Sequence, residues 1–174
     1  MALTAWSIKI SHWVVEEIVR HPGPENVKTR AAVYERFVLA SQCLFKLNNF
    51  NGCTEILTAL QASPVYRLKD TQNAVSSKVR RIMDDLAKET SSEQNYKKIR
   101  RRLEKISDAQ YAEPTMPFPG MVLQDLTFHD GGGKLYIDAA KKIINFQKLQ
   151  TTATYIFDFL VRCVLCFGRV YVWF

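Results

Sequence analysis

The segment from Leu47 to Gly52, with the sequence LNNFNG, is the feature that most constrains the fold of this chain. Asparagine side chains compete with a helix for backbone hydrogen bonds, and glycine adds backbone freedom, so a helix does not continue comfortably here. The apolar spacing on both sides predicts that the chain turns at this point between two buried helices. We predict that Phe50, Trp13 and Leu57 lie together in the main core with almost complete burial.

The composition favours a single, mainly helical domain. The chain has 174 residues, of which 47% are hydrophobic, and this is enough for a real core. Seven glycines and six prolines are too few for a sandwich or barrel, which need turn residues at shorter intervals. The formal charge of +7 favours an anionic partner, and nucleic acid, a membrane surface and an acidic protein face all remain open on charge alone.

Helical periodicity predicts five helices in the first 106 residues, at about 4–20, 25–46, 53–62, 76–88 and 92–106. In the first helix the apolar stripe contains Trp6, Ile10, Trp13, Val14 and Ile18. Arg30 falls on the water-facing side of the second helix. Residues 65–68 are predicted to be a short linker, because a residue that precedes proline, here Ser63, avoids the α region.

The later part of the chain is predicted to leave the core and return as a stalk. Prolines make residues 108–120 extended, an apolar segment covers 121–128, and the glycine-rich residues 129–134 form a flexible tip. Residues 135–146 then lead into a final helical stretch. The apolar residues 155–174 are predicted to be a core helix or a chain end without its packing partner. The apolar character could suggest a membrane span, but the segment includes Asp158, Arg162 and Arg169. Each of these costs roughly 2.5–3.5 kcal/mol at a bilayer centre, which argues against a span.

Sequence motifs give no indication of covalent, metal or nucleotide chemistry. Four cysteines (Cys43, Cys53, Cys163 and Cys166) lie in apolar helical patterns, which suits reduced thiols packed as small hydrophobes in a cytosolic protein. The single CxxC has no second pair, and the histidines are scattered, so no metal site and no cofactor are predicted. The glycine-rich tip is not a phosphate-binding loop, since Phe128 and Leu135 occupy positions where that motif needs Gly and Ser or Thr.

Several ordered blocks of the chain resemble one known family. They are ISHWVVEEI at 10–18, KLNNFNG at 46–52, SPVYRL at 63–68, NYKK at 95–98, PFPG at 117–120, LQDLTF at 123–128 and INF at 144–146. Over about residues 3–146 the chain resembles the catalytic domain of guanine nucleotide exchange factors for Ras-like GTPases, the family of Son of sevenless.

The resemblance implies an all-α, orthogonal helix bundle with a protruding hairpin. In this family the bundle binds the GTPase, and the hairpin acts as a wedge that moves switch I away from the nucleotide. Such a protein makes no covalent bond, so we do not expect an enzyme in that sense. It binds the nucleotide-free GTPase better than the nucleotide-bound form, and this lowers the barrier to GDP release.

Individual site residues follow from the same resemblance. Tyr66, Tyr96 and Phe118 would form the pocket that holds switch II, with Gln61 where many Ras-directed members have Asn. Aromatic residues suit this role because they supply large contact area with little loss of conformational entropy. In the hairpin, Thr127, Asp130 and Gly131 fall where members place the residues that disturb the magnesium and phosphate site.

Departures from the family pattern predict an incomplete domain. The tip has one carboxylate, Asp130, where a pair is common, and the glycines at 131–133 predict a soft tip. The usual opening helices and closing segment do not match, so residues 1–150 are predicted to be a partial exchange domain. Residues 151–174 are predicted to be an atypical apolar C-terminal helix or tail.

Three functional hypotheses remain from the sequence. The first is exchange on a Ras, Rap or Ral type GTPase, in the cytoplasm and with recruitment to a membrane left open. The second is a non-catalytic GTPase-binding or scaffold module of the same fold. A nucleic-acid binder is disfavoured, because no continuous basic stripe with stacking aromatics is present. The basic residues at 97–102 predict a solvated helix face, with an anionic membrane surface as the alternative partner.

Overall fold

The computed structural model describes residues 2–107, 113–138, 140 and 142–168. Within these ranges the chain is mainly helical, with one small antiparallel sheet, which confirms the all-α prediction. The helices are α1 (Ala2–Val19), α2 (Val27–Lys46), α3 (Phe50–Gln61), α4 (Ser63–Tyr66), α5 (Lys69–Ala74), α6 (Ser77–Glu89), α7 (Glu93–Ser107), α8 (Pro119–Gly131) and α9 (Phe146–Gly168), and the strands are β1 (Tyr136–Asp138) and β2 (Ile143–Ile144).

The main core lies between α1, α2, α3 and α6. Its buried apolar side chains include Val14, Ile18, Val38, Leu57, Leu60, Val65, Val79, Met83 and Leu86. The prediction for Leu57 is confirmed, but the one for Trp13 is wrong, since Trp13 is 50% exposed. A helix presents only a narrow stripe to its neighbours, and Val14 and Ile18, four residues apart, occupy it. Trp13 lies beside that stripe and packs edge-on against Phe37.

A second, smaller core joins α3 to α7 and α8. It consists of Phe50, Ile99, Leu103 and Met121, with Phe45, Tyr96, Ile106 and Phe118 packed around it. Phe50 is fully buried, as predicted, but it belongs to this cluster and not to the main core. The second core therefore fixes the position of α8 relative to the bundle.

The asparagine corner turns between α2 and α3, as predicted. The side chain of Asn49 accepts a hydrogen bond from the backbone nitrogen of Gly52 at 2.9 Å, which caps α3. Asn48 takes the left-handed conformation, and its carbonyl accepts from the backbone nitrogen of Met116 at 3.0 Å. Phe50 N donates in turn to Met116 O at 2.9 Å. The corner thus binds the extended, proline-containing segment that leads into α8.

Two features of the α1–α5 region differ from the sequence prediction. Arg30 is buried, and its guanidinium donates to Thr71 Oγ1 at 2.9 Å and to the carbonyls of His21 and Gly23. These acceptors come from a loop and from α5, which periodicity along α2 alone does not reveal. The predicted linker is partly helical, because Pro64 is accommodated in the first turn of α4.

The C-terminal part forms a helical hairpin with a small sheet at its end. Helix α8 includes the first three residues of the predicted flexible tip. Strands β1 and β2 pair within residues 135–146, which were predicted only to lead into the final helix. Helix α9 packs on α8 and runs through residue 150 without interruption. Within the described part of the chain, none of the helices is both long and apolar enough to cross a membrane. Arg169, one of the three charged residues expected to disfavour a membrane span, lies outside the described residues.

The cysteines differ in exposure, contrary to the prediction that all four are packed. Cys43 is exposed and Cys53 is fully buried in the main core, while the side chain of Cys166 lies outside the described residues. Cys43 points outward because it lies next to the apolar stripe of α2, not on it. Burial raises the pKa of the Cys53 thiol to about 12. Cys53 is therefore almost wholly protonated at neutral pH.

We expect iodoacetamide at pH 8 to alkylate Cys43 and to leave Cys53 unmodified in the folded protein. The thiolate is the reactive form, and only about one Cys53 thiol in ten thousand carries it at that pH, apart from the steric protection. Peptide mass spectrometry after timed alkylation measures both sites in one sample. Comparable rates for the two cysteines would contradict the packing of α3, and alkylation of Cys53 in urea serves as the positive control.

Candidate functional site

Tyr96 and Phe118 meet at the base of the hairpin. Their ring centroids lie 5.6 Å apart in a tilted arrangement, which is typical of a favourable aromatic pair. Phe118 immediately precedes α8, and Tyr96 lies near the start of α7. The predicted site residues from two distant sequence blocks are therefore in contact.

A left-handed turn at the start of α7 accompanies this contact. Gln94, Asn95 and Tyr96 have φ angles of 49°, 58° and 55°. This conformation costs a residue other than glycine roughly 1–2 kcal/mol, so three in succession need external support. The turn contains no glycine, and the apolar periodicity of residues 92–106 fits one uninterrupted helix. Neither signal in the sequence therefore indicated the turn.

Arg100 supplies part of that support and ties α7 to α8. Its Nε donates to the carbonyl oxygen of Asn95 at 2.8 Å, and its Nη2 donates to both carboxylate oxygens of Asp125 at 2.8 Å. The Asp125 side chain is only 13% exposed, so this ion pair is better shielded from water than a surface pair. The sequence placed Arg100 on a solvated basic face and missed this link, because its partner is 25 residues away.

Gln61, Tyr96 and Phe118 line one open depression of about 360 Å³. The remaining lining residues come mainly from α3 and from the end of α6, and they are Thr54, Leu57, Thr58, Ala87, Thr90, Ser91 and Ser92. The walls are short, mostly polar side chains around two aromatic rings. This depression presents an amphipathic surface to a partner.

Tyr66 lines a neighbouring depression of about 290 Å³. Gln61 and Ala87 line both depressions, so the two are adjacent. Tyr66 is 58% exposed, and the ammonium of Lys69 lies 3.6 Å from its ring centroid. The structure therefore places the four residues of the predicted switch II pocket along one surface, with Gln61 between Tyr66 and the contacting pair.

Thr127, Asp130 and Gly131 lie at the other end of α8. The exposed hydroxyl of Thr127 donates to the Leu123 carbonyl at 2.8 Å, and the Asp130 side chain is 92% exposed. A Cβ added at Gly131 would meet no atom within 4 Å. With a rise of 1.5 Å per residue, Asp130 lies about 18 Å along the helix from Phe118. The aromatic site and the tip are thus two separate areas joined by one rigid element.

A side chain from the second arm of the hairpin supports the glycine-rich tip. Lys148, in the first turn of α9, reaches back to the carbonyl oxygens of Asp130 and Gly133. The prediction of a soft tip, made from three consecutive glycines, did not include this contact from the second arm.

Two other kinds of site are relevant to function, a metal site and a basic surface beside α7. Within the ranges that the structure describes, no three His, Cys, Asp or Glu side chains lie close enough to hold a metal ion. Lys88, Lys97, Lys98 and Arg101 surround a depression of about 260 Å³ beside α7, with Glu93 among them. Lys98 forms an ion pair with Glu89 at 3.1 Å, so part of this basic charge is compensated locally.

Comparison with known proteins gives a consistent set of relatives. The family model described as the RasGEF domain matches residues 1–150. The chain is 41% identical over 128 residues to Ras guanine nucleotide exchange factor E of Dictyostelium discoideum, which covers 72% of this chain and 12% of that protein. It is 34% identical to Cell division control protein 25 of Saccharomyces cerevisiae, over 80% of this chain and 8% of that protein.

A vertebrate relative shows the same relationship. The chain is 32% identical to Ras-specific guanine nucleotide-releasing factor 2 of Rattus norvegicus, over 82% of this chain and 11% of that protein. The chain therefore spans about a tenth of the length of these relatives.

Proposed function

The chain belongs to the RasGEF domain family, and on that premise we propose that it is a guanine nucleotide exchange factor for a Ras-like small GTPase. The observation that supports the proposal is the spacing of two areas on one helix. The aromatic area around Tyr96 and Phe118 lies at the start of α8, and Asp130 lies about 18 Å away near its end. One GTPase bound at both areas would have its switch II held at the first and its switch I displaced by the second.

The mechanism requires no covalent step. Contacts in the aromatic depressions stabilise the complex whether or not nucleotide is present, so they supply affinity. Contacts at the hairpin tip form fully only when the nucleotide leaves, and only this difference accelerates release. The Asp130 carboxylate would compete with phosphate for the positive groups of the GTPase, while Thr127 and Gly131 would let the helix approach closely. GTP then enters by mass action.

The hairpin geometry suits a wedge because two packed helices form it. Helix α8 is fixed at its base by the second core and by the Arg100–Asp125 ion pair, and α9 supports it along its length. A group that must enter another protein's active site works only if its position is well defined. The contacts at the base of the hairpin fix the position of α8 in this way.

A non-catalytic GTPase-binding module is the second candidate function. The observation that favours it is the composition of the tip, where Asp130 is followed by Gly131 and no second carboxylate is present. Binding through Gln61, Tyr66, Tyr96 and Phe118 does not depend on the tip. We propose a cytoplasmic location with recruitment to an anionic membrane surface, because Lys97, Lys98 and Arg101 are exposed on α7 and carry the charge that such a surface attracts.

We expect the purified chain to form a detectable complex with at least one nucleotide-free GTPase of the Ras, Rap or Ral type. We also expect it to release fluorescent GDP from the same GTPase more slowly than a complete exchange domain does, because one carboxylate replaces the usual pair. Pull-down and fluorescence decay in excess GTP measure the two properties separately. A complex without release would support the scaffold function, and the absence of both for every GTPase would overturn the proposal.

A further inference from the structure

Lys148 makes a set of contacts that the proposed function does not use. Its ammonium donates to the carbonyl oxygens of Asp130 and Gly133, both at 2.6 Å, and its side chain is only 11% exposed. A buried lysine stem with its charge on backbone oxygens is an unusual use for a residue that normally lies in water. From this geometry we propose that Lys148 is a positioning residue that fixes the hairpin tip for nucleotide release, an inference that rests on the proposed exchange function.

The ammonium is placed where the end of α8 needs it. The last carbonyl groups of a helix have no partner within the helix, and that end carries partial negative charge. Asp130 O is one of these groups, and Gly133 O lies just beyond the helix. One cation therefore satisfies an unpaired helix carbonyl and a loop carbonyl together. The Asp130 carboxylate is 3.7 Å away but largely solvated, so the backbone contacts are the stronger part of the arrangement.

The two bonded carbonyls bracket the run of glycines. None of Gly131, Gly132 and Gly133 has a positive φ, so their backbone conformations do not require glycine. Glycine nevertheless leaves many other conformations accessible, which predicts a mobile tip if nothing opposes it. The Lys148 ammonium opposes it by connecting the residue before the run to its last member.

Lys148 is itself held by the second arm. Its backbone nitrogen donates to Asn145 Oδ1 at 3.2 Å, and its carbonyl accepts from Nε2 of His129 at 2.9 Å. Asn145 N in turn donates to the Leu135 carbonyl at 2.8 Å. These bonds join α9 to both sides of the tip, so the position of the Lys148 side chain is fixed relative to the tip.

The positioning role follows from where these bonds end. Asp130 and Gly131 are the tip residues assigned to the GTPase active site, and a misplacement of about 1 Å at such a position costs up to about a hundredfold in rate. Lys148 acts through them and does not itself reach the partner, because its charge is turned into the hairpin. Its loss should slow release and leave binding at the distant aromatic area nearly unchanged.

Lys148→Met tests this inference, because methionine keeps most of the apolar stem and removes the ammonium. We expect the maximal rate of fluorescent-GDP release to fall about tenfold to a hundredfold, with the GTPase concentration for half-maximal rate changed less than about threefold. Lys148→Arg retains a donor and a charge, and it should recover part of the rate. Lys28→Met is the matched control, since it removes an exposed lysine charge from α2, away from the tip and from both depressions, and should behave like the unaltered chain.

Hydrogen–deuterium exchange of the amides at 130–135 provides a readout that does not depend on the GTPase. We expect exchange at these amides to be faster in Lys148→Met than in the unaltered chain and in Lys28→Met. Equal exchange in all three would overturn the inference, as would equal release rates for Lys148→Met and Lys28→Met. If the unaltered chain releases no GDP, the proposed function fails, and unequal amide exchange would still support the clamp. Lys148→Gln replaces Lys148→Met if circular dichroism shows that the latter is unfolded.

Discussion

Replacement of Phe50 by alanine should lower the free energy of unfolding by about 3–5 kcal/mol. The Phe50 ring is fully buried and lies edge-on to Phe45 with a centroid distance of 5.5 Å. It packs in the second core, where Ile99 of α7 and Met121 of α8 also lie. Removal of the ring leaves a cavity between α3, α7 and α8. Urea unfolding followed by circular dichroism measures the change.

Phe128→Ala is the matched control for this experiment. It removes the same ring from a site on α8 that is 69% exposed, so we expect a change within about 0.5 kcal/mol. A loss below 1 kcal/mol for Phe50→Ala would mean that the second core does not hold α8 as described. Because Tyr96 and Phe118 pack around the same cluster, the variant should also weaken GTPase binding through the loss of their geometry.

Features with a local cause could be predicted from the sequence. The turn at the asparagine corner follows from residues 48–52 alone, since Asn49 caps the next helix and Gly52 supplies the bonded nitrogen. Helix positions followed from apolar periodicity, which is a property of short stretches. The resemblance also placed Tyr96 and Phe118 together, although neither composition nor spacing relates them.

Features that depend on contacts between distant elements could not be predicted. Periodicity put Trp13 on the apolar stripe, but the width of the stripe that becomes buried depends on how α2 and α3 pack against α1. Arg30 carries a charge and was placed in water, whereas its hydrogen-bond acceptors exist only once α5 has docked. The left-handed turn at 94–96 is a geometry that the local sequence does not favour, and Arg100, which helps to support it, finds its partner Asp125 only once α8 has packed on α7.

The proposed function assigns the holding of the GTPase to the aromatic area, so a substitution there should change the affinity of the complex. Tyr66→Ala should weaken the complex with the nucleotide-free GTPase at least about thirtyfold, since buried aromatic residues at interface centres contribute 2 kcal/mol or more. Tyr66 is suitable for this test because its ring is exposed in the free protein and held by Lys69, so its removal costs little stability.

Fluorescence anisotropy with a labelled, nucleotide-free GTPase measures the dissociation constant of each variant. Phe157→Ala is the control, since it removes a ring that is 67% exposed on α9 and lines neither depression. We expect that control to bind like the unaltered chain. Equal affinity for Tyr66→Ala and Phe157→Ala would mean that Tyr66 does not bind the GTPase, unlike the proposed role of Tyr96 and Phe118. The binding surface would then end at Gln61, and the neighbouring depression would have no part in holding the GTPase.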